Sequence, residues 1–280
     1  MTSQALGKTV MTPATVRVPI GKVAGRVARM QEDLLAVEEP LEIRVGSRSL
    51  SVTMRTPGHD SELAAGFLFA EGIVGSASQI QAIANPSPNT VVVELSPDAK
   101  IKDPPSQRGF VMTSACGVCG KESLEALAAN QCPVLPPSGL KIDAAVVHRL
   151  PHQLRRRQDV FEGTGGLHAA ALFNPQGELE ALREDVGRHN AVDKLVGQAL
   201  LGFRTPLRDS VMLVSGRASF ELVQKALMAG IPLLAAVGAP SSLAVAEAAR
   251  CGLTLIGFLR NGSFNVYSGI GCIVGMEEAQ

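Results

Sequence analysis

The sequence predicts an α/β fold for the larger second part of the chain, preceded by a smaller α+β part. The first observation is that short apolar runs alternate with helical patterns after residue 209. Such alternation is typical of a parallel sheet covered by helices. The second is that the earlier apolar runs come in neighbouring pairs joined by turn residues, which predicts antiparallel hairpins. The third is length, because 280 residues exceed one comfortable hydrophobic core.

The predicted organisation has three parts. Residues 1–38 show little helical or strand period, so we expect a flexible N-terminal arm. Residues 39–106 form a small α+β domain, and residues 107–280 form the larger domain. The elements expected in the small domain are a hairpin of Leu41–Val45 with Ser49–Thr53, a helix capped by Asp60 or Ser61, and a strand pair of Gln79–Ala84 with Thr90–Leu95.

The larger domain begins with less regular elements. A helix from about Asp143 is expected to be broken or kinked by Pro151. Leu167–Phe173 and Glu178–Glu184 predict an antiparallel pair, and Asn190 is expected to cap the next helix. The regular alternation then predicts strands at Ser210–Val214, Ile231–Val237 and Leu253–Phe258, with helices at Ser219–Ala229 and Ser242–Cys251.

Composition excludes several function classes. The formal net charge is zero, and the chain has no Trp and one Tyr, so nucleic-acid binding is not expected. No apolar run approaches the length of a membrane-spanning helix, and no export signal is visible. Five cysteines, an odd number, fit a reducing compartment, so we expect a cytoplasmic protein.

Two of the cysteines form the pair Cys116-Gly-Val-Cys119, within a loop spanning residues 107–123. Strong helix formers follow from Ser123, so the thiols precede a predicted helix N-terminus. The helix dipole and the nearby Lys121 favour thiolate, which is the form that attacks sulfur. The pair is therefore predicted to be reactive.

Several functions fit this spacing. A structural zinc site is disfavoured, because the other cysteines stand singly and supply no second Cys-x-x-Cys. Inert burial is also disfavoured, since only Val118 separates two turns of small residues. A disulfide redox pair and a carrier of sulfane sulfur remain, and the spacing does not separate them.

Two crossovers carry features of anion binding. Ser215, Gly216 and Arg217 lie between a predicted strand end and a helix start, as do the residues around Gly238. Open backbone amides at such positions bind phosphate, although the same turns also serve only to cap helices. Between Arg183 and Lys194, the dense charges around His189 fit either a solvated turn or the wall of a polar pocket.

Four motifs in order resemble the FdhD family, the formate dehydrogenase accessory sulfurtransferases. They cover most of the chain from about residue 40 to Tyr267. The motifs are Thr113-Ser-Ala-Cys116-Gly-Val-Cys119-Gly, Thr164-Gly-Gly-Leu-His168-Ala-Ala, Glu184-Asp-Val-Gly-Arg-His-Asn-Ala-Val-Asp-Lys194 and Ser215-Gly-Arg-Ala-Ser-Phe-Glu221.

This resemblance implies a sulfurtransferase that works through a cysteine persulfide. Cys116 matches the family's persulfide cysteine, and Cys119 matches the second cysteine of the motif. The implied sulfur donor is a cysteine desulfurase. The implied acceptor is the molybdenum of bis-molybdopterin guanine dinucleotide, before its insertion into formate dehydrogenase. The alternatives are a thiol-disulfide oxidoreductase using the same pair, and a non-catalytic chaperone of the molybdenum cofactor.

The resemblance also implies a fold and a cofactor site. The C-terminal domain is expected to be a three-layer sandwich with a mixed sheet, similar to cytidine deaminases. It is expected to lack zinc, since His168-Ala-Ala has no Glu and no Cys-x-x-Cys follows it. A homodimer is also expected. The residues expected to meet the cofactor, including its guanine nucleotide moiety, are Phe258, Leu259, Arg260, Asn261, Gly262, Ser263, Ser215, Gly216, Arg217 and His189.

Overall fold

The computed structural model describes residues 13–97, 99 and 132–277. The cysteine loop at 107–123, with Cys116 and Cys119, lies outside the described residues, as does the helix predicted from Ser123. The described strands are β1 (Thr15–Ala24), β2 (Val27–Ala36), β3 (Glu39–Val45), β4 (Arg48–Arg55), β5 (Ile80–Ser87), β6 (Thr90–Leu95), β7 (Ile142–Asp143), β8 (His168–Phe173), β9 (Leu179–Asp185), β10 (Val211–Val214), β11 (Leu233–Ala236), β12 (Thr254–Arg260), β13 (Ser263–Ser268) and β14 (Ile273–Val274). The described helices are α1 (Asp60–Ala70), α2 (Ala144–Arg155), α3 (Asp159–Thr164), α4 (Arg188–Leu201), α5 (Phe220–Met228) and α6 (Ser242–Cys251).

Within these ranges, the largest sheet has six strands in the order β13-β12-β11-β10-β8-β9. The strands β10, β11 and β12 are parallel, as the alternation of strands and helices predicts. The strands β8, β9 and β13 join antiparallel at the two sides, so the sheet is mixed. The α/β class predicted for this part of the chain is therefore confirmed.

Helices cover both faces of this sheet, because its buried strands are apolar on both sides. Alternate residues of β8 and β10 belong to two separate cores. The residues that pack with α1, α4, α5 and α6 include Ala170, Leu172, Met212 and Val214. The residues that pack with α2 include Ala169, Ala171, Val211 and Leu213.

A smaller sheet has the strand order β4-β3-β6-β5, and its hairpins are those predicted. Its two hairpins join through a parallel pairing of β3 with β6 that local pattern did not predict. Helix α1 packs between this sheet and α4 of the larger part, and the three share one apolar core. The two parts therefore meet along the crossing of α1 and α4.

Several local predictions are wrong. Residues 15–36 form a two-stranded hairpin of β1 with β2 where an arm without regular structure was expected. Helix α1 begins after His59, which adopts a left-handed conformation with φ 59° and makes no side-chain capping bond, so neither Asp60 nor Ser61 is the cap. Helix α4 begins after Gly187, so Asn190 lies inside its first turn. Pro151 lies within α2 and does not break it, while the kink that was the other expectation stays a prediction.

No helix of the described residues is long and apolar enough to cross a membrane.

One ion pair ties α1 to the larger sheet and makes stability depend on pH. Arg183 of β9 donates to Glu62 from Nε at 2.5 Å and from Nη2 at 2.7 Å, and His59 Nδ1 lies 3.3 Å from the same carboxylate. Burial opposes ionisation of Glu62, but the bonds from Arg183 and His59 outweigh it and lower the pKa from 4.5 to about 2.

We therefore expect Glu62→Gln to be less stable than the wild type at neutral pH. A carboxyl group whose pKa is lower in the folded state than in the unfolded state stabilises the fold at pH values above its unfolded pKa. This stabilisation is lost as the pH falls through the folded pKa. The difference in free energy of unfolding should shrink as pH falls from 4.5 towards about 2. Urea unfolding across that range measures it, with the exposed Glu32→Gln as control. A difference that stays constant across the range would contradict this account.

Candidate functional site

The loops that follow the three parallel strands meet at one edge of the large sheet. Gly238 N–H donates to Gly216 O at 2.9 Å, and Phe258 N–H donates to Gly238 O at 3.0 Å. Ala218 and Pro240 also form an isolated parallel bridge. These contacts place the loops after β10 and β11 beside the end of β12. Ligands of open α/β sheets bind at this edge, where the carboxyl ends of the strands lie.

The first of these loops is fixed to the neighbouring strand β8. Ser215 Oγ accepts from Ala169 N–H at 2.9 Å, and Ser215 N–H donates to Ala169 O at 2.9 Å. A Cβ at Gly216 would lie 3.3 Å from His168 Nδ1, so a side chain there would crowd the imidazole. Burial lowers the pKa of His168, and the charges of Arg188 and His189 lower it further. His168 is therefore neutral at physiological pH and able both to donate and to accept.

The turn from Phe258 to Ser263 joins β12 and β13 at the same edge. Its backbone adopts left-handed conformations at Phe258, Asn261 and Gly262, with φ of 53°, 53° and 71°. Arg260 is exposed, with its guanidinium carbon 5.6 Å from the Phe258 ring centre, whereas Leu259 is buried. Ser263 Oγ donates to Arg260 O at 3.2 Å. The turn therefore presents one cation and several backbone groups to solvent.

His189 lies in a buried polar cluster at the start of α4. Its Nε2 is 3.3 Å from Ser219 Oγ and 3.1 Å from Glu221 Oε2, both on the segment that opens α5. Burial favours the neutral form of Glu221, but the bonds from His189 and Ser219 outweigh it and lower its pKa. The cluster therefore places the Glu221 carboxylate beside the His189 imidazole, next to the loop that carries Ser215 to Arg217.

A buried ion pair between Lys194 and Asp185 lies next to this cluster, on the same helix and the strand before it. Lys194 Nζ lies 2.7 Å from Asp185 Oδ2 and donates to Thr56 O at 2.8 Å. Asp185 also accepts from Thr56 N–H, Gly187 N–H and the Asn190 amide. The charged residues between Arg183 and Lys194 therefore bind mostly to one another and to the small part of the chain. Of these residues, His189 contacts the segment that follows the loop at the sheet edge.

A pocket of about 460 Å³ opens at the same edge, on the side of α2. Its walls come from α2, α3, the Gly165–His168 segment, Ser215 and Val237. The sequence motifs signalled His168 and Ser215. They gave no signal for Gln158 or Phe161, because the place of these two residues in the pocket wall depends on how α2 and α3 pack.

The structure brings together many of the residues predicted to meet the cofactor. The carboxyl edge of the large sheet carries Ser215, Gly216, Arg217 and the turn at 258–263. His189 does not lie on this edge itself but contacts Ser219, which follows the first loop. Leu259 differs from the others, because its side chain belongs to the core on the α2 side. How the edge lies relative to Cys116 and Cys119 falls outside the described residues.

The cysteines without a motif have surroundings that disfavour reactivity. Burial, together with a bond to Glu247 and its charge, raises the pKa of Cys132 to about 12. Burial also raises the pKa of Cys251 and Cys272. Because thiolate is the reactive form, the raised pKa values disfavour reaction at these three thiols.

Comparison with known proteins places the chain in a family. The FdhD/NarQ family model matches residues 36–274. The chain is 49% identical over 276 residues to the sulfur carrier protein FdhD of Streptomyces avermitilis, covering 94% of this chain and 95% of the relative. It is 52% identical over 250 residues to the protein of the same name from Mycobacterium tuberculosis, covering 84% and 90%.

A solved structure agrees with these relatives. It is described as a formate dehydrogenase accessory protein from Desulfotalea psychrophila and superposes with a TM-score of 0.77 at 25% identity. The match covers 94% of this chain and 100% of that one. The family model, the named relatives and the shared fold converge on one conclusion: this chain belongs to the FdhD/NarQ family.

Proposed function

We propose that this protein is a sulfur carrier that acts in the maturation of formate dehydrogenase. The observation that carries the proposal is the family match over residues 36–274, which includes Cys116 and Cys119. Relatives about half identical over most of the chain are named sulfur carrier proteins. Formate dehydrogenase is then the client, and we propose that the protein works in the cytoplasm as a homodimer.

The carrier step needs only thiol chemistry. The Cys116 thiolate attacks the terminal sulfur of a persulfide on a cysteine desulfurase. The donor's S–S bond breaks, the donor leaves as a thiolate, and Cys116 holds the new persulfide, so no outside oxidant is required. Cys119 helps to receive the sulfur. With this covalent intermediate the protein acts as a sulfurtransferase.

The acceptor of the sulfur is a substrate of the carrier and not its resident cofactor. We propose that the sulfur passes to the molybdenum of bis-molybdopterin guanine dinucleotide held at the carboxyl edge of the large sheet. The support is chemical: Arg217 and Arg260 are exposed cations at that edge, and the Asn261-Gly262 turn presents backbone groups. Cations and open amides suit the phosphates of such a molecule.

We further propose that the larger part has the deaminase-like three-layer fold implied by the resemblance. The support is a mixed sheet with helices on both faces. Fold alone carries no chemistry, and His168-Ala-Ala lacks the glutamate that deaminases need to move protons.

Mass spectrometry tests the carrier step. The purified protein is incubated with a cysteine desulfurase and L-cysteine, and peptides containing Cys116 and Cys119 are measured before and after reduction. We expect a one-sulfur gain on Cys116 that reductant reverses and that Cys116→Ala lacks. Cys132→Ala serves as the matched control, because that thiol is buried and its pKa is raised. A Cys116–Cys119 disulfide without any sulfur gain would contradict the proposal and favour an oxidoreductase.

A further inference from the structure

The β1–β2 hairpin forms a two-stranded sheet of its own. Each strand has ten residues, and within the described ranges neither strand joins another sheet. Near the base of the hairpin, Leu34 packs closely on α3, where a Cβ on Gly163 would lie 3.0 Å from its Cδ2. The matched family model begins at residue 36, so it explains almost none of this element. An isolated two-stranded hairpin is at best marginally stable in water, so we expect a further partner for its strands.

The two edges of the hairpin differ in what they offer to another strand. Val37 N–H donates to Ala14 O at 2.8 Å, so this pair and every second pair along the register bond within the hairpin. The pairs between them turn their N–H and C=O groups outwards. On β1 one outward position is Pro19, which has no N–H and interrupts that edge at its middle. The outward positions of β2, none of them Pro or Gly, are Ala28, Met30, Glu32, Leu34 and Ala36.

We propose that the β2 edge pairs with the β2 edge of a second copy of the chain, antiparallel about a two-fold axis. The N–H groups of Ala28, Met30 and Glu32 have no partner among the described residues, and Leu34 N–H makes only a local bond to Asp33 Oδ1 at 3.0 Å. Such a pairing uses both β2 edges and leaves only the interrupted β1 edges, so assembly stops at a dimer. The inference rests on the homodimer of the proposed function and names the surface that forms it.

Charge complementarity selects one register, with the axis at Gln31. In this register Arg29 of each copy lies directly opposite Asp33 of the other, in a close pair whose Cα atoms are about 4.5 Å apart. Val27 likewise lies opposite Leu35, and these side chains are 57% and 42% exposed in the single chain. Symmetry makes each of these pairs occur twice. Unlike charges and apolar side chains that face each other across strands stabilise the pairing.

The neighbouring registers lack this complementarity. An axis at Met30 would place the Val27 side chain opposite the Asp33 carboxylate. An axis at Glu32 would place two carboxylates opposite each other, and an axis at Arg29 would do the same with two guanidinium groups. Like charges directly opposite each other destabilise a strand pair. The sequence of β2 is therefore self-complementary in the register centred on Gln31.

The same register extends an apolar surface across the dimer. Val16 pairs with Leu35 inside the hairpin, on the face that also carries Val18 and Ile20. Val27 of the second copy would lie on the other side of Leu35 and continue this row. The exposed fractions of Val16 and Leu35, 47% and 42%, would fall as the row forms. Burial of this apolar area adds to the backbone bonds of the paired edges.

Charge reversal tests the register. Arg29→Asp and Asp33→Arg each create two like-charged pairs, so each should raise the Kd of the dimer by about tenfold or more. An equimolar mixture of the two variants should associate again, because both aspartates of one chain then face both arginines of the other. Arg17→Asp is the matched control, since it changes the charge equally but lies on β1 and on the other face of the hairpin. Sedimentation equilibrium over a range of protein concentrations is the measurement.

Hydrogen exchange provides a second readout that charge alone would not change. The amides of Met30 and Glu32 face outwards, so they should exchange more slowly in the wild-type dimer than in Arg29→Asp. The Arg17→Asp protein should keep the slow exchange of the wild type. Equally fast exchange of both amides in the wild type and in Arg29→Asp would contradict pairing along this edge.

The outcomes separate this inference from the proposals on which it rests. If the wild type is a dimer and both charge variants dimerise equally well, or their mixture associates no better than either alone, this inference fails while the homodimer stands on another surface. Assemblies larger than a dimer would also contradict it. If the wild type is a monomer at every concentration, the homodimer and this inference fail together. The sulfur gain on Cys116 is measured separately, so sulfur carriage is judged by its own result.

Discussion

Lys194→Met is expected to lower the free energy of unfolding by about 3 to 5 kcal/mol. The side chains of Lys194 and Asp185 are 1% and 0% exposed, with 2.7 Å between Nζ and Oδ2. Removing the cation leaves a carboxylate buried without its counterion, and it also removes the bond to Thr56 O, which ties the small part of the chain to the large one. The measurement is urea unfolding at neutral pH.

Two further variants make this result specific. Arg17→Met removes the cation of the ion pair between Arg17 and Glu32, and these two side chains are 72% and 68% exposed. The change should alter the free energy of unfolding by less than about 1 kcal/mol, because exposed ion pairs contribute little. Lys194→Met combined with Asp185→Asn removes both charges and should recover part of the loss. If Lys194→Met were no more costly than Arg17→Met, the buried pair would not have the structural role assigned to it.

Gly66→Ala is expected to lower the free energy of unfolding by about 3 kcal/mol, at the upper end of the usual cost of overpacking. At the crossing of α1 and α4 the two backbones touch through glycines. A Cβ on Gly66 would overlap the Asp193 carbonyl group, and a Cβ on Gly197 would overlap the Glu62 carbonyl group. Backbone cannot move aside as a side chain can, so the helices would have to separate and the shared core would open.

Gly139→Ala and Gly75→Ala are the matched controls for this crossing. A Cβ on Gly139 would meet nothing within 4 Å, and a Cβ on Gly75 would lie 3.6 Å from Gln79 Oε1. Neither glycine has a positive φ, so each change should stay within about 1 kcal/mol of the wild type. Chemical denaturation of all four proteins is the measurement. A Gly66→Ala protein as stable as the controls would show that α1 and α4 are not packed this closely.

The larger sheet could be predicted because its signal is local. Each strand from β10 to β12 is a short apolar run bounded by turn residues, and the helices that follow β10 and β11 carry apolar residues at helical spacing. The β1–β2 hairpin was missed because most of its side chains on both faces are exposed, and the alternation of Val16, Val18 and Ile20 in β1 does not continue in β2. The starts of α1 and α4 were mispredicted because the residues before them, His59 and Gly187, make no side-chain capping bond. The sequence rule looks for such a bond and therefore pointed to Asp60, Ser61 and Asn190.

The candidate site could be predicted only where its residues have a local sequence signal. Ser215 to Arg217 and Phe258 to Ser263 follow strands, so topology alone places them at one edge. The bonds of His189 to Ser219 and Glu221, and the burial of Gln158, arise from contacts between elements distant in sequence. No spacing rule reports such contacts.

The most direct test of the central claim is the activity of the client enzyme. Formate dehydrogenase would be produced in cells that lack their own accessory protein, together with the wild-type chain, Cys116→Ala, Cys119→Ala or the control Cys132→Ala, each checked for unchanged unfolding. The account predicts active enzyme with the wild type and Cys132→Ala, and loss of activity with Cys116→Ala. Full activity with Cys116→Ala would contradict sulfur carriage on that cysteine and would favour a chaperone that only binds the cofactor.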